Sequence, residues 1–239
     1  MLEKLKPFQI TLIAIIITFG ILLSTKIITS SLAHDGVIVT GSANEIVKSD
    51  SGKLSFNITV KAPTKAAAYS TMKQQLPVVE KYLKNKGLNE IEIKNYNGYY
   101  NYKYNQSGIC TNEILNYNLS QPIEVTSKDV NLIKNVAIDI QNLLDNGIDI
   151  NETQANYYYS GLADLKIKLL QAATKDAKAR ATAMLKANHN RVGKIQSINM
   201  GVFQITDATS NDVSDMGIND TSTIDKKVTA VANVVFKIK

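Results

Sequence analysis

The stretch "NYNGYYNYKYN" (residues 95–105) decides how the chain is arranged, because it must either stack flat ligands or form one arm of a β-hairpin. In its second half, aromatic and polar residues alternate, and a period of two is typical of a strand. Tyr100, Tyr102 and Tyr104 then point to one face of the strand. The stretch "ILNYNLSQPIEVTS" (114–127) also alternates, and turn-like residues separate the two. The sequence therefore predicts that these two stretches pair as a hairpin.

The rest of the chain shows further strand and helix patterns. Strands are predicted at residues 34–47, 53–61, 89–105, 114–127, 148–160, 192–201 and 227–238. Helices are predicted from Thr64 to Gly87, from Asp129 to Gly147 and from Leu162 to about Ala187. The order ββαββαβαββ predicts an α+β fold, with a mostly antiparallel sheet, helices packed on one face, and one hydrophobic helix before it. No linker rich in proline or glycine divides residues 34–239, so we predict a single domain there.

Local signals set the ends and the buried face of the predicted helices. Gly87 and Gly147 are typical residues just past a helix C-terminus. Thr126 with Asp129 resembles a capping box at the start of the second helix. Pro122 predicts a bulge or an edge position in its strand, because proline has no N–H to donate. One face of the third helix carries mostly small side chains, which indicates close packing against a sheet: Leu169, Ala173, Ala177, Ala181 and Met184.

Residues 1–33 predict a membrane anchor or a signal peptide. Lys4 and Lys6 precede a long apolar run, and lysines before such a run predict a cytoplasmic N-terminus. The run is longer than the core of a usual signal peptide, and its extension to residue 28 makes a membrane span feasible. We therefore predict that residues 8–28 anchor the chain in the lipid bilayer, with cleavage near Ala33 as the alternative. Either outcome places the rest of the chain outside the cytoplasm, at the cell membrane, in the periplasm or secreted.

Composition argues against several classes of function. The net charge of +6 comes almost entirely from lysine, and Arg180 and Arg191 are the only arginines. Nucleic-acid binders rely on arginine for bidentate contacts to phosphate and guanine, so no nucleic-acid partner is expected. Cys110 is the sole cysteine, and no disulfide can form within the chain. His34 and His189 lack the spacing of a zinc site, so neither a metal nor a cofactor is expected.

No catalytic motif stands out. The chain has no G-x-G-x-x-G, P-loop, G-x-S-x-G or H-E-x-x-H pattern. His189 lies in "KANHNRVG", which is typical of a helix C-terminus, where the helix dipole favours a histidine. The acidic segment 207–225 lacks the spacing of a calcium loop and is interpreted as a solvated loop. We therefore predict no catalytic residues and a protein that is not an enzyme; a hydrolase with an unmarked pair of carboxylates is the remaining enzymatic alternative.

Several phrases together resemble one family, the SIMPL domain of exported bacterial envelope proteins of poorly defined function. "VIVTGSANEIVKSDSGKLSFNITV" resembles its opening hairpin, and "LKNKGLNEIEIKN" resembles its helix–glycine–strand junction. "YNYKYN" followed by "YNLSQPIEVTSKDVNLI" is similar to its central hairpin, "AATKDAKARATAMLKANHNRVGKIQSI" to its most recognisable helix and strand, and "VTAVANVVFKI" to its closing strand. The resemblance spans about residues 37–238 and rests on the order of the elements. Pro77, the acidic segment and the N-terminal run depart from the family pattern.

The resemblance implies a compact α+β unit, export to the cell envelope, a link to envelope or oxidative stress, and self-assembly in some members. The resemblance does not identify any catalytic residues in this chain. We therefore expect a non-enzymatic, membrane-anchored protein that forms homo-oligomers, with the tyrosine row packed either on the core or on another subunit. The alternative is a module that binds glycan or peptide on the tyrosine-rich hairpin, together with Tyr157 to Tyr159. Its candidate binding residues are Tyr99, Tyr100, Tyr102 and Tyr104.

Overall fold

The computed structural model describes residue 12, residues 15–25 and residues 36–239, and these residues form an α+β fold as predicted. The strands are β1 (Gly36–Lys48), β2 (Ser51–Ala62), β3 (Glu90–Ile93), β4 (Asn97–Tyr104), β5 (Cys110–Ser127), β6 (Asp149–Tyr158), β7 (Val192–Met200), β8 (Gln204–Asp207), β9 (Ile218–Asn219) and β10 (Asp225–Ile238). The helices are α1, described over residues 15–25, α2 (Lys65–Asn85), α3 (Val130–Asp139) and α4 (Leu162–Lys186), with a 3-10 helix (Ile140–Asn146) after α3.

The chain divides into two compact units. The smaller unit contains the chain up to Gly41, together with Thr174–Met200 and Ala232–Lys239. The larger unit contains Ser42–Ala173 and Gly201–Val231. Strands β1 and β10 and helix α4 contribute residues to both units.

The larger unit is built on an antiparallel sheet in the order β3-β5-β2-β6, with β4 beside β5. β2 pairs with β5 from Gly52 opposite Ser127 to Ala62 opposite Tyr117, and with β6 on its other side. Alternate residues of β2 are buried, as the pattern of residues 53–61 predicts. Helices α2 and α3 pack against β2 and β5, and the core lies between these layers. Its largest fully buried side chains include Leu54, Phe56, Ile58, Leu83, Ile123 and Ile133.

Strand β10 has different partners in the two units. In the smaller unit its end pairs antiparallel with β7, from Ala232 opposite Met200 to Ile238 opposite Val192. In the larger unit its start pairs antiparallel with β8, and β8 pairs in parallel with the short strand β9. β9 lies within the acidic segment 207–225, so the interpretation of that segment as loop throughout is corrected.

The predicted strand 89–105 is two strands, β3 and β4, which pair with successive parts of β5. Pro122 of β5 lies opposite the gap between them, and its carbonyl accepts a hydrogen bond from the backbone N–H of Lys94 (3.0 Å). The side-chain amide of Gln121 donates to the carbonyl of Lys94, and so it supplies a donor where proline has none. Pro122 is therefore tolerated in a central strand because the neighbouring ladder is interrupted there.

The N-terminus of α3 differs from the predicted capping box. The carboxylate of Asp129 accepts hydrogen bonds from the backbone N–H groups of Asn131 and Leu132, both at 3.0 Å, so Asp129 is itself the N-cap. Thr126 still belongs to β5, and its hydroxyl donates to a carboxylate oxygen of Glu90 (2.7 Å). The capping-box prediction was wrong because Thr126 lies inside β5, which ends at Ser127, where the predicted strand 114–127 also ends.

The helical segments that precede β3, β6 and β7 end in the same hydrogen-bonded motif. Gly87 and Gly147 have φ angles of 96° and 73° and occupy the left-handed position that follows the helix, as predicted. After α4 this position is taken by His189, with φ of 58°. The N–H of His189 donates to the carbonyl of Lys186 (3.2 Å), and the N–H of Asn190 donates to the carbonyl of Leu185 (3.0 Å). His189 is therefore held in a conformation that favours glycine.

Replacement of His189 by glycine is expected to raise the free energy of unfolding by about 0.5–1 kcal/mol, because the strain of a left-handed histidine is relieved. Thermal or chemical denaturation followed by circular dichroism measures the change. The matched control is Gly147→Ala, which introduces a side chain at the equivalent position and is expected to destabilise by a similar amount. A less stable His189→Gly protein would contradict this account.

Helix α4 buries the face that the sequence predicts, except at its end. Met184 is more than half exposed, and Leu185 is buried in its place. The buried positions of α4 recur at steps of four residues, so the buried face of the helix includes Leu185 and not Met184. The predicted positions that are buried are Leu169, Ala173, Ala177 and Ala181.

Within the described part of the chain, no helix is long and apolar enough to cross a membrane. The described residues of α1 are all exposed. The predicted anchor over 8–28 also includes residues 8–11, 13–14 and 26–28, which lie outside the described residues, as do His34 and the predicted cleavage site near Ala33. The anchor and the cleavage site therefore stay predictions.

Candidate functional site

A two-stranded hairpin extends beyond the rest of the larger unit's sheet. β2 pairs with β5 only as far as Tyr117, so residues 110–116 of β5 pair with β4 alone. At the tip, the side-chain oxygen of Asn105 accepts hydrogen bonds from the backbone N–H groups of Ser107 (3.0 Å) and Ile109 (2.9 Å), which closes the turn. The predicted pairing of the two stretches is confirmed. We call residues 97–116 the tyrosine arm.

The base of the tyrosine arm is fixed by an aromatic contact over a glycine. The ring of Tyr117 is buried and lies across Gly98, where an added Cβ would be 2.3 Å from the tyrosine hydroxyl oxygen. The ring of Tyr100 meets the ring of Tyr117 edge-on, with 4.8 Å between the ring centres. Glycine at position 98 therefore allows an aromatic ring to cover the strand, and this contact joins the arm to the core.

The four candidate binding tyrosines are exposed to different extents. Tyr99, Tyr100, Tyr102 and Tyr104 are 58%, 42%, 42% and 71% exposed. The hydroxyl of Tyr99 accepts a hydrogen bond from the side-chain amide of Asn118 (2.8 Å). Tyr100 contacts the core through Tyr117, but Tyr102 and Tyr104 are exposed, so the tyrosine row as a whole does not cover the core of this chain. Two register irregularities, on either side of Tyr102, also interrupt the regular alternation.

Aliphatic side chains add to this surface. Ile109, Ile114 and Leu115 are about half exposed or more, and Ile114 lies directly opposite Tyr102 in the ladder. These residues were not predicted to be functional, because residues 106–113 were interpreted as turn-like and residues 114–127 as the partner strand of the hairpin. So many large apolar and aromatic side chains exposed on one hairpin are unusual for a surface that contacts no partner.

Two pairs of polar side chains in the middle of the tyrosine arm bond to one another. The amide of Asn101 donates to the side-chain oxygen of Asn116 (2.8 Å), and the ammonium group of Lys103 contacts the carboxylate of Glu113 (3.1 Å). Cys110 is exposed near the tip. The described residues contain no group of three or more histidine, cysteine, aspartate or glutamate side chains that could hold a metal ion. What the arm offers to a partner is therefore mainly aromatic and aliphatic.

A second notable cluster is a buried ion pair in the acidic segment. Lys226 is only 3% exposed, and its ammonium group donates to the backbone carbonyl of Asp220 (2.7 Å) and lies 3.8 Å from the carboxylate of Asp220. That carboxylate also accepts hydrogen bonds from the hydroxyls of Ser222 (2.6 Å) and Thr223. The sequence signal for this pair was weak, because an aspartate among several in a polar segment gives no sign of burial.

For Asp220 and for Lys226, burial and the charge of the partner shift the pKa in opposite directions. Burial raises the pKa of Asp220, but the hydrogen bonds from Ser222 and Thr223 and the charge of Lys226 outweigh burial and lower the pKa to about 2. Burial lowers the pKa of Lys226, and the nearby Asp220 only partly offsets this. A cavity of about 140 Å³ lies beside the pair, with Tyr157, Tyr158 and Tyr159 among its lining residues. The pair carries no net charge and links the acidic segment to the start of β10.

Comparison with known proteins gives one assignment. None of the curated proteins compared with the chain matches it. The family model SIMPL, described as a protein of unknown function (DUF541), matches residues 37–236. These residues include the whole tyrosine arm, the buried ion pair and β2 to β9, so the match covers most of the chain. The chain therefore belongs to the SIMPL family.

Proposed function

We propose that this protein is a non-enzymatic, exported protein of the cell envelope, anchored in the membrane, that self-associates through its tyrosine arm. The observation that supports the proposal is the exposed aromatic and aliphatic surface on a hairpin that extends beyond its sheet. A role in envelope or oxidative stress is part of the proposal and is suggested by the family resemblance.

Physical arguments favour a partner for the arm. A two-stranded hairpin is only marginally stable alone in water, and burial of its apolar surface would stabilise it. Among the described strands, β4 pairs with β5 only, so its other edge is free to accept a strand. A second copy of the chain presents the same surface, and two identical arms can pack about a two-fold axis.

The nature of the surface favours self-association over the alternative of glycan or peptide binding. A sugar site needs free hydrogen-bonding groups beside the rings to pair with hydroxyl groups. On the arm, Asn101 is bonded to Asn116 and Lys103 to Glu113, and the neighbours of Tyr102 include the aliphatic Ile114. Aromatic and aliphatic side chains with few free polar groups are typical of the core of a protein–protein interface.

The described residues of the N-terminal segment support a membrane location. Helix α1 exposes a series of large apolar side chains that no described residue covers, and Leu12 precedes it with the same exposure. Leaving such a helix in water is unfavourable, and a lipid environment removes this cost. The exposed apolar residues are Leu12, Ile15, Ile16, Ile17, Phe19, Ile21, Leu22 and Leu23.

The test compares variants of the full chain, extracted from membranes in a neutral detergent. Tyr102→Asn combined with Ile114→Asn removes the central apolar pair of the arm. We expect the dissociation constant of the oligomer to rise at least roughly tenfold in this double variant, which corresponds to about 1.4 kcal/mol. Size-exclusion chromatography with light scattering at several protein concentrations measures the change.

The matched control also replaces two exposed apolar residues by asparagine, but on helices α2 and α3. Val78→Asn with Ile138→Asn replaces two exposed aliphatic residues outside the arm and is expected to leave the oligomer unchanged. A wild-type protein that is monomeric at every concentration would refute self-association. In that case, a change of tyrosine fluorescence on addition of cell-wall fragments would support the glycan-binding alternative.

A further inference from the structure

The smaller unit contains a pocket that the proposed function does not use. It has a volume of about 370 Å³ and lies where α4 ends and β7 begins. Its lining residues are Thr182, Lys186, His189, Asn190, Arg191 and Val192. Half of these side chains are basic, and none is acidic.

Within the part of the chain that the structure describes, no acidic side chain neutralises the positive charge in this pocket. No carboxylate among the described residues forms an ion pair with Lys186, His189 or Arg191. The other arginine of the chain, Arg180, behaves differently, because its guanidinium group contacts the carboxylate of Asp176 at 2.7 Å. With respect to the described residues, Arg191 therefore has its side-chain donors available, in a chain that uses arginine only twice.

The backbone fixes the positions from which the basic side chains project. Arg191 and Lys239 exchange two backbone hydrogen bonds of 2.7 and 2.8 Å, which fix the position from which the guanidinium group projects. The left-handed turn at His189 fixes the preceding residues. The last carbonyls of a helix oppose a nearby anion, but those of Leu185 and Lys186 accept hydrogen bonds from the turn.

The donor set matches one class of ligand. Arginine binds two oxygens of a phosphate side by side, and lysine adds a compact positive charge. The side-chain amide of Asn190 supplies a neutral donor. The hydroxyl of Thr182 already donates to the carbonyl of Lys178 (2.7 Å), so Thr182 forms the wall of the pocket rather than a donor.

We infer that this pocket binds a phosphate-bearing anion, with Arg191 and Lys186 as its principal contacts. The phosphate group is carried either by a soluble phosphate ester or by the head group of an anionic phospholipid. Both sources present the same oxygens to Arg191, and the volume of the pocket accommodates a substituent on the phosphate. The inference does not depend on self-association of the tyrosine arm.

The experiment uses the full chain in neutral detergent micelles and isothermal titration calorimetry at constant ionic strength. Inorganic phosphate is the first probe. Arg191→Gln is expected to weaken its binding at least roughly tenfold, because the bidentate contact is lost. Arg180→Gln is the matched control, since it removes the same charge outside the pocket, and it is expected to change the affinity less than about twofold.

Two further probes distinguish the sources of the phosphate. Tighter binding of glycerol phosphate than of phosphatidylglycerol in the micelles identifies a soluble ester, and the reverse order identifies a lipid head group. If Arg191→Gln fails to fold, Lys186→Gln becomes the deciding variant, with the same expected direction. The inference is overturned if the wild type binds none of the three probes, or if the pocket variant and Arg180→Gln weaken binding equally.

Discussion

Replacement of Asp220 by asparagine is expected to lower the free energy of unfolding by about 3–5 kcal/mol, because it leaves the buried ammonium group of Lys226 without its counter-charge. Lys226 is 3% exposed, so water cannot solvate the charge in the folded protein. Urea denaturation followed by circular dichroism measures the loss. The matched control is Asp215→Asn, an exposed aspartate in the same segment, which is expected to change stability by less than about 0.5 kcal/mol.

The pKa shifts of the pair predict an asymmetry between its two members. Burial lowers the pKa of Lys226 more than the charge and hydrogen bond of Asp220 raise it, so the charged lysine gains little from its buried position. Lys226→Met removes the buried charge and leaves Asp220 with its hydrogen bonds from Ser222 and Thr223. We therefore expect Lys226→Met to destabilise less than Asp220→Asn. The reverse order would contradict the structural role assigned to the pair.

The same group makes stability depend on pH. The pKa of Asp220 is about 2 in the folded protein and has an ordinary value of 3.8, so its contribution is present above pH 4 and is lost as the pH falls toward 2. A shift of this size corresponds to about 2 kcal/mol. The loss between these pH values is expected to be smaller in Asp220→Asn than in the wild type, as measured by denaturation at each pH.

Gly98→Val is expected to destabilise the protein by about 2–3 kcal/mol, because the new side chain collides with the buried ring of Tyr117. An added Cβ already lies 2.3 Å from the hydroxyl oxygen and 2.7 Å from the adjacent ring carbon of Tyr117, and a rigid ring can avoid it only by leaving the core. The edge-on contact with Tyr100 is then lost as well. Thermal denaturation measures stability, and light scattering measures the expected weakening of self-association.

The control for this substitution is another glycine of the same arm. Gly108 lies at the tip with φ of 75°, and no atom lies within 4 Å of an added Cβ. Asparagine tolerates this conformation, so Gly108→Asn is expected to cost less than about 1 kcal/mol. Equal effects at positions 98 and 108 would show that loss of a flexible residue, and not the contact with Tyr117, controls the stability of the arm.

Features set by neighbouring residues were predicted well from the sequence. The alternation in β2 identified its buried face, and Gly87 and Gly147 identified the ends of two helices. These signals depend on residues a few positions apart, where period and turn chemistry are decisive. The family assignment also followed from local phrases, and the match over residues 37–236 confirms it.

Features set by distant residues were not predicted. The gap opposite Pro122 depends on where β3 ends and β4 begins, which only the pairing with β5 reveals. The exposure of the tyrosine arm depends on the length of β2, which ends opposite Tyr117. The burial of Asp220 depends on the position of Lys226, and no pattern along the chain marks these two residues as partners. The division of the strands between two sheets was likewise not apparent from their order.

Because β2 ends opposite Tyr117, the hairpin beyond this point can change in length independently of the sheet. Beyond that point, each strand of the hairpin is aligned only by the other. Paired insertions or deletions there would therefore lengthen or shorten it without altering how β5 is aligned with β2. A change in the length of this hairpin would therefore alter how far it extends and leave the sheet beneath it unchanged.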